Sequence, residues 1–163
     1  MNGDNGHPLV LRNPMTLKPR IGASYPEPFG KLCAGREKRA LGNAVGLSQF
    51  GVNLVHLPPG QATSQRHWHD KEDEFVYVLE GEVVLLTDAG EETLSAGMAA
   101  GFPGGAANGH CVINRSNAVA VLLEVGTRSD GDTVNYSDID LHGKGSPGGG
   151  FSFTHKDGRP YGA

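Results

Sequence analysis

Cysteine is nearly absent: two residues, Cys33 and Cys111, stand far apart in a chain of 163 and form no Cys-x-x-Cys pair. That excludes a disulfide framework and a zinc ribbon. No apolar stretch approaches membrane-spanning length. The opening Met1-Asn2-Gly3-Asp4-Asn5 lacks the basic segment and apolar run of a signal peptide, so a cytoplasmic location is expected. There is no excess of positive charge either: 14 basic against 18 acidic side chains give a net charge of −4, which offers no long-range attraction to nucleic acid. The densest basic cluster, Arg36, Lys38 and Arg39, reads as a solvated loop, with a phosphate or partner contact as the sharper alternative.

What the chain has in quantity is glycine, at 25 residues without a Gly-X-Y period. Collagen is therefore excluded, and scattered glycines beside short apolar runs fit a fold of many tight turns. Hydrophobic residues at 37% and charged residues at 20% suit one globular domain with a real core. Residues 1–46 carry five prolines and little periodicity, which predicts an extended arm with short edge strands at most and a weak helix signal over Arg36–Leu41. From Ser48 onward strands are expected at Phe50–Leu57, Glu74–Glu80, Val83–Thr87, Glu92–Leu94, Met98–Phe102, Cys111–Asn114 and Val119–Val125. Their close spacing argues for an antiparallel sandwich or barrel spanning 47–127. Residues 128–163 read as a polar C-terminal arm, with a flexible loop at Gly143–Gly150 and a last edge strand at Phe151–Thr154.

The chemistry concentrates in His67-Trp68-His69-Asp70-Lys71-Glu72-Asp73-Glu74. In a strand, residues two apart share a face, so His67 and His69 aim two imidazoles at one point while Trp68 faces away. A turn through Asp70–Asp73 then brings Glu74 beside them, with Asp73 as the rival carboxylate. His110, opening a later strand, is the fourth candidate. Imidazole and carboxylate suit manganese, iron, nickel, copper or zinc, and do not choose among them. Asn114 reads as a turn residue, and Gly60, Gly81, Gly97 and Gly105 as turn or bulge positions. Glu124 interrupts an apolar strand, either as a solvent-facing charge, the preferred reading, or as an inward acid near the metal. Phe75, Tyr77 and Leu79 lie opposite the metal face, where core or dimer packing is expected; a homodimer follows.

These residues resemble the two cupin motifs. The first is matched by His67, His69, four residues, Glu74, six residues and Gly81, with six rather than five residues between Gly60 and His67. The second is matched by Gly97, five residues, Pro103-Gly104-Gly105, four residues, His110, three residues and Asn114, with two residues more than the motif has before the histidine. The resemblance covers about half the chain, from Val52 to Val125. It implies an all-β, cupin-type antiparallel β-barrel (jelly-roll) with N- and C-terminal arms, holding one metal ion between His67, His69, Glu74 and His110. The flanking segments are similar to small bacterial single-domain cupins often labelled sugar-phosphate isomerases by analogy. That label implies a small-molecule substrate, a metal-polarised carbonyl and a cationic contact for phosphate, for which Lys71 is the candidate. An iron-dependent dioxygenase and a non-catalytic binder of a small ligand or metal are the alternatives.

Overall fold

The structure is a computed structural model, and it describes residues 8–146 and 150–161. Met1–Asn5, and Pro147–Gly149 of the expected loop, lie outside the described residues. Thirteen strands are present among the described residues: β1 (Arg20–Ile21), β2 (Glu37–Ala40), β3 (Phe50–Leu57), β4 (His67–His69), β5 (Glu74–Glu80), β6 (Glu82–Thr87), β7 (Gly90–Ser95), β8 (Ala99–Phe102), β9 (Cys111–Ile113), β10 (Ala120–Thr127), β11 (Thr133–Tyr136), β12 (His142–Gly145) and β13 (Phe151–Thr154). All pairings are antiparallel. One sheet has the order β1-β2-β3-β10-β5-β8, a second β13-β12-β11-β4 and a third β7-β6-β9. Bridges Ala62–Ile113 and His67–His110 join the second and third sheets edge to edge, so that together they face the first as a jelly-roll.

The core follows from period-two alternation. Leu122 on β10 lies opposite Val55 on β3 and Val78 on β5, and all three are fully buried. With Leu57, Val83, Leu94 and Val112 they fill one end of the interior. Phe75 and Leu79, of opposite parity on β5, remain 42% exposed on the outer face, as the alternation requires. Gly81 makes the β5–β6 turn at φ 80°, and a Cβ there would lie 3.2 Å from the Ala120 backbone, so both conformation and space demand glycine.

The segments flanking the barrel depart from expectation. Glu37–Ala40 is a strand rather than helix, because it finds hydrogen-bonding partners in β3 on one side and β1 on the other; a short α-helical turn follows at Leu41–Ala44. Pairing across a sheet outweighs a weak local helix preference. Arg36 and Arg39 are 4% and 7% exposed, so the basic segment is largely buried and not a solvated loop. Gly143–Gly145, expected in a flexible loop, forms β12 against β11, while Phe151–Thr154 is the edge strand that its sequence predicts. No helix among the described residues is long and apolar enough to cross a membrane. Replacing Leu122 by alanine is expected to cost about 2–5 kcal/mol, read from the shift in the urea unfolding midpoint at unchanged slope. A loss below about 1 kcal/mol would contradict its place at the centre of the core.

Candidate metal centre

Short strand β4 sets His67 and His69 on one face, both buried, with ring centroids 5.1 Å apart. Trp68, expected to face away, contributes to the wall of the neighbouring cavity. The turn Asp70–Asp73 returns the chain so that Glu74 opens β5 on the inner face shared with Val76 and Val78. Asp73, the rival acid, is spent on the turn: its carboxylate accepts the Gly104 amide at 2.8 Å. Gly104 is itself pressed against this turn, since a Cβ there would lie 2.6 Å from the Lys71 carbonyl. The longer loop before His110 thus docks on the turn after His69, and its Gly105 amide donates to the His69 carbonyl at 2.8 Å. His110 then pairs backbone to backbone with His67, through hydrogen bonds of 2.8 and 3.1 Å. The extra residues in this loop leave His110 beside the first-motif histidines.

Four side chains meet at one place. Glu74 Oε2 lies 2.9 Å from His110 Nε2, 3.2 Å from His67 Nε2 and 3.5 Å from His69 Nε2. Donors bonded to one ion at about 2.1 Å lie up to about 4.2 Å apart, and all three separations fall inside that span. The far nitrogens of two rings are committed elsewhere: His67 Nδ1 donates to the Gln65 carbonyl at 2.9 Å, and His69 Nδ1 to the Asp132 carboxylate at 2.6 Å. Those bonds fix the tautomer that leaves Nε2 facing Glu74. His110 is oriented by stacking on Phe102, with centroids 3.6 Å apart and planes 5° from parallel. His67, His69 and Glu74, whose donor atoms all lie within 4.8 Å of one another, fit a divalent transition ion, and His110 Nε2 adjoins the group through Glu74.

Electrostatics bind the group together. Burial works against the Glu74 charge, but hydrogen bonds from His110 and His67 and the charges of His67 and His69 outweigh it, holding this carboxyl well below its ordinary range. His67 is raised: burial lowers it, yet the Glu74 hydrogen bond and charge and the Gln65 carbonyl prevail. His110 is lowered, because burial exceeds what Glu74 returns.

A space of about 420 Å³, open to solvent, adjoins the cluster and is lined by Trp68, His69, Glu72, Glu74, Phe102 and His110 among others. Lys71 is exposed, its ammonium donating to the Asp130 carbonyl at 3.1 Å, and it is not on this wall. Asn114, fully buried, organises the turn after β9 by donating to the Leu57 and Ala118 carbonyls. Glu124 corrects the preferred reading: it lies opposite Val76 and Asn53, shares the parity of buried Leu122, and pairs inward with Lys38 at 2.6 Å rather than facing solvent. Its parity with Ala120 and Leu122 was the signal for this. Sequence reasoning missed Glu72 and Asp132. Glu72 is visible only as one more acid in a charged turn, and Asp132 sits in a polar tail with nothing to mark it as the partner of His69.

The sequence profile of the cupin domain matches residues 53–126. Among solved structures, the chain is similar to a sugar phosphate isomerase from a cupin superfamily of Silicibacter pomeroyi, at 48% identity over 91% of this chain and 94% of that one, TM-score 0.86. It is also similar to a protein of Acidithiobacillus ferrooxidans provisionally described as a sugar phosphate isomerase, at 31% identity over 76% of this chain and 78% of that one, TM-score 0.70. A polyketide cyclase of Streptomyces resistomycificus shares the fold at 24% identity, covering 73% of this chain and 79% of that one, TM-score 0.59. No functionally curated protein matches the chain significantly.

Because the folded Glu74 carboxyl sits below its unfolded value, the folded state binds fewer protons there. Its contribution to stability is present above the ordinary carboxylate range, about pH 4, and drains as pH falls through and below it. Acid titration of urea midpoints for the metal-free protein should show a steeper loss in wild type than in Glu74→Gln. Equal slopes would contradict the assignment.

Proposed function

This chain belongs to the cupin superfamily, and from that premise we propose that it is a metal-dependent enzyme moving a proton between adjacent carbons of a small phosphorylated sugar. The observation that carries this reading is the convergence of three imidazole Nε2 atoms and the Glu74 carboxylate beside an open cavity. The 48% identical relative described as a sugar phosphate isomerase supports the substrate class. A divalent ion would be held by His67, His69, Glu74 and His110 and would supply a Lewis acid for the sugar carbonyl, making the neighbouring C–H more acidic.

The chain's own residues do the rest. Asp132 fixes His69 and is itself held by the Lys71 amide at 2.8 Å. Glu72 is the carboxylate best placed to carry the proton. It lines the cavity, its Oε1 accepts the Ser129 amide at 2.7 Å, and its Oε2 has no hydrogen-bond partner among the described residues. An aldose–ketose interconversion takes a proton from one carbon and returns it to the next, while the hydroxyl proton of the first carbon passes to the former carbonyl oxygen, so one carboxylate on one face of the sugar serves both carbon steps. Phe102 and Trp68 give the cavity apolar walls that limit water around the reacting carbons. Lys71 reaches a substrate here only by releasing the Asp130 carbonyl. The exposed Phe75 and Leu79 on the outer face support a homodimer through this sheet.

Elemental analysis of the purified protein should find close to one transition ion per chain, and the double variant His67→Ala/His69→Ala should fold without it. Unchanged metal content in that variant would refute the ligand set. The loaded protein should interconvert glucose phosphate with fructose phosphate, or ribose phosphate with ribulose phosphate. Iron with oxygen uptake and no interconversion would overturn the isomerase reading in favour of an oxygenase. Light scattering at micromolar concentration should give the mass of two chains, and a single-chain mass would contradict the dimer.

A further inference from the structure

The inner face of the first sheet carries cations along its β1–β2 edge, beside the apolar core. Register places Arg20 on β1 directly opposite Lys38 on β2, and Lys38 opposite buried Val55 on β3, so both cations point to the interior side. Arg36 has the parity of Lys38 and is 4% exposed. Like charges directly opposed across an antiparallel pair repel and destabilise it, and a third cation beside them raises the cost. One carboxylate answers them: Glu124, 2.6 Å from the Lys38 ammonium. Arg39 is occupied separately by Glu37 and the Leu17 carbonyl.

Two observations point to a missing anion. Arg20 has no hydrogen-bond or ion-pair partner among the described residues, although five guanidinium donors are available. Arg36 gives its terminal nitrogens to the Thr63 and Gly22 carbonyls, yet its buried Nε has no partner. Burial and the nearby Arg36 charge both push the Arg20 guanidinium down from its ordinary range, the mark of a cation short of counter-charge. Exposure falls from Arg20 at the rim, through Lys38 at 22%, to Arg36 in the interior. The three thus run from the surface into the interior.

We propose that Arg20, Lys38 and Arg36 form an anion subsite on the inner face of the first sheet, which takes the phosphate of a phosphomonoester. Three cations against one carboxylate leave two positive charges, the complement of a phosphate dianion, whose second pKa is about 6. Arginine forks suit phosphate oxygens better than a lone ammonium does. Glu124, on the side of Lys38 nearer the histidine cluster, limits the anion to the Arg20 side. Backbone to backbone, Lys38 and Glu74 are three strand spacings across and four residues along the sheet from one another, roughly 20 Å. The choice of a phosphomonoester among dianions rests on the sugar-phosphate reading above; the cation excess does not.

The test is calorimetric binding of glucose phosphate, glucose and inorganic phosphate to the metal-free full chain, so that no ion in the histidine cluster contributes. Glucose phosphate and inorganic phosphate should bind and glucose should not. Arg20→Gln, at an exposed position, should weaken binding about tenfold to a hundredfold. Lys38→Met should do the same, with Lys38→Arg retaining most of the affinity. Wild-type affinity in Arg20→Gln, or no binding of either phosphate by the metal-free wild type, overturns the subsite. Its failure is distinct from failure of the reaction. Binding that depends on Arg20, in a loaded protein that interconverts no sugar phosphate, sustains the subsite and removes the isomerase. Interconversion without Arg20-dependent binding does the reverse.

Discussion

The meeting of three imidazoles on the Glu74 carboxylate is the constraint around which the rest of this interior is arranged. A carboxylate taken from water into a barrel is costly unless it is paired. His110 and His67 compensate it through hydrogen bonds and His69 through charge. Every one of these side chains is held from behind: His67 by the Gln65 carbonyl, His69 by Asp132, His110 by the ring of Phe102. The loop carrying His110 is in turn pinned to the turn after His69 by Gly104 and Gly105. The sheets supply rigid backbones, and these contacts supply the aim.

The interior divides along the strands. Toward Leu57, Val78 and Val83 it is a close-packed hydrocarbon core that gives the fold its stability. Toward Glu74 and Glu124 the same inner face carries charge. A jelly-roll can bear polar groups in its second half because the first half, together with the cross-sheet pairing, already closes the structure. Relatives with different described activities share this architecture, so the reaction resides in which polar groups occupy the open half.

The strands that carry first-motif chemistry were legible because their signals are local. Phe50–Leu57 and Glu74–Glu80 are bounded by turn residues, and burial alternates over Val55–Leu57 and Phe75–Leu79. His67, His69 and Glu74 sit at spacings that a strand, a turn and a strand convert directly into proximity. Apart from the edge strand Phe151–Thr154, the flanks were not legible, for a physical reason. Glu37–Ala40 and Thr133–Tyr136 are strands only because β3 and β4 offer them hydrogen-bonding edges, and that depends on residues far away in the chain. Asp132 reaches His69 across the same long-range pairing. Glu124 differs, since its parity with Ala120 and Leu122 already implied an inward side chain.

The central claim is that one cation sits where these four side chains meet. Anomalous diffraction from crystals of the protein grown with zinc or manganese, recorded at the absorption edge of the metal, tests it most directly. The account predicts a single strong peak bonded to Nε2 of His67, His69 and His110 and to the carboxylate of Glu74. A peak elsewhere, or density at this point that lacks any of those four bonds, would contradict it.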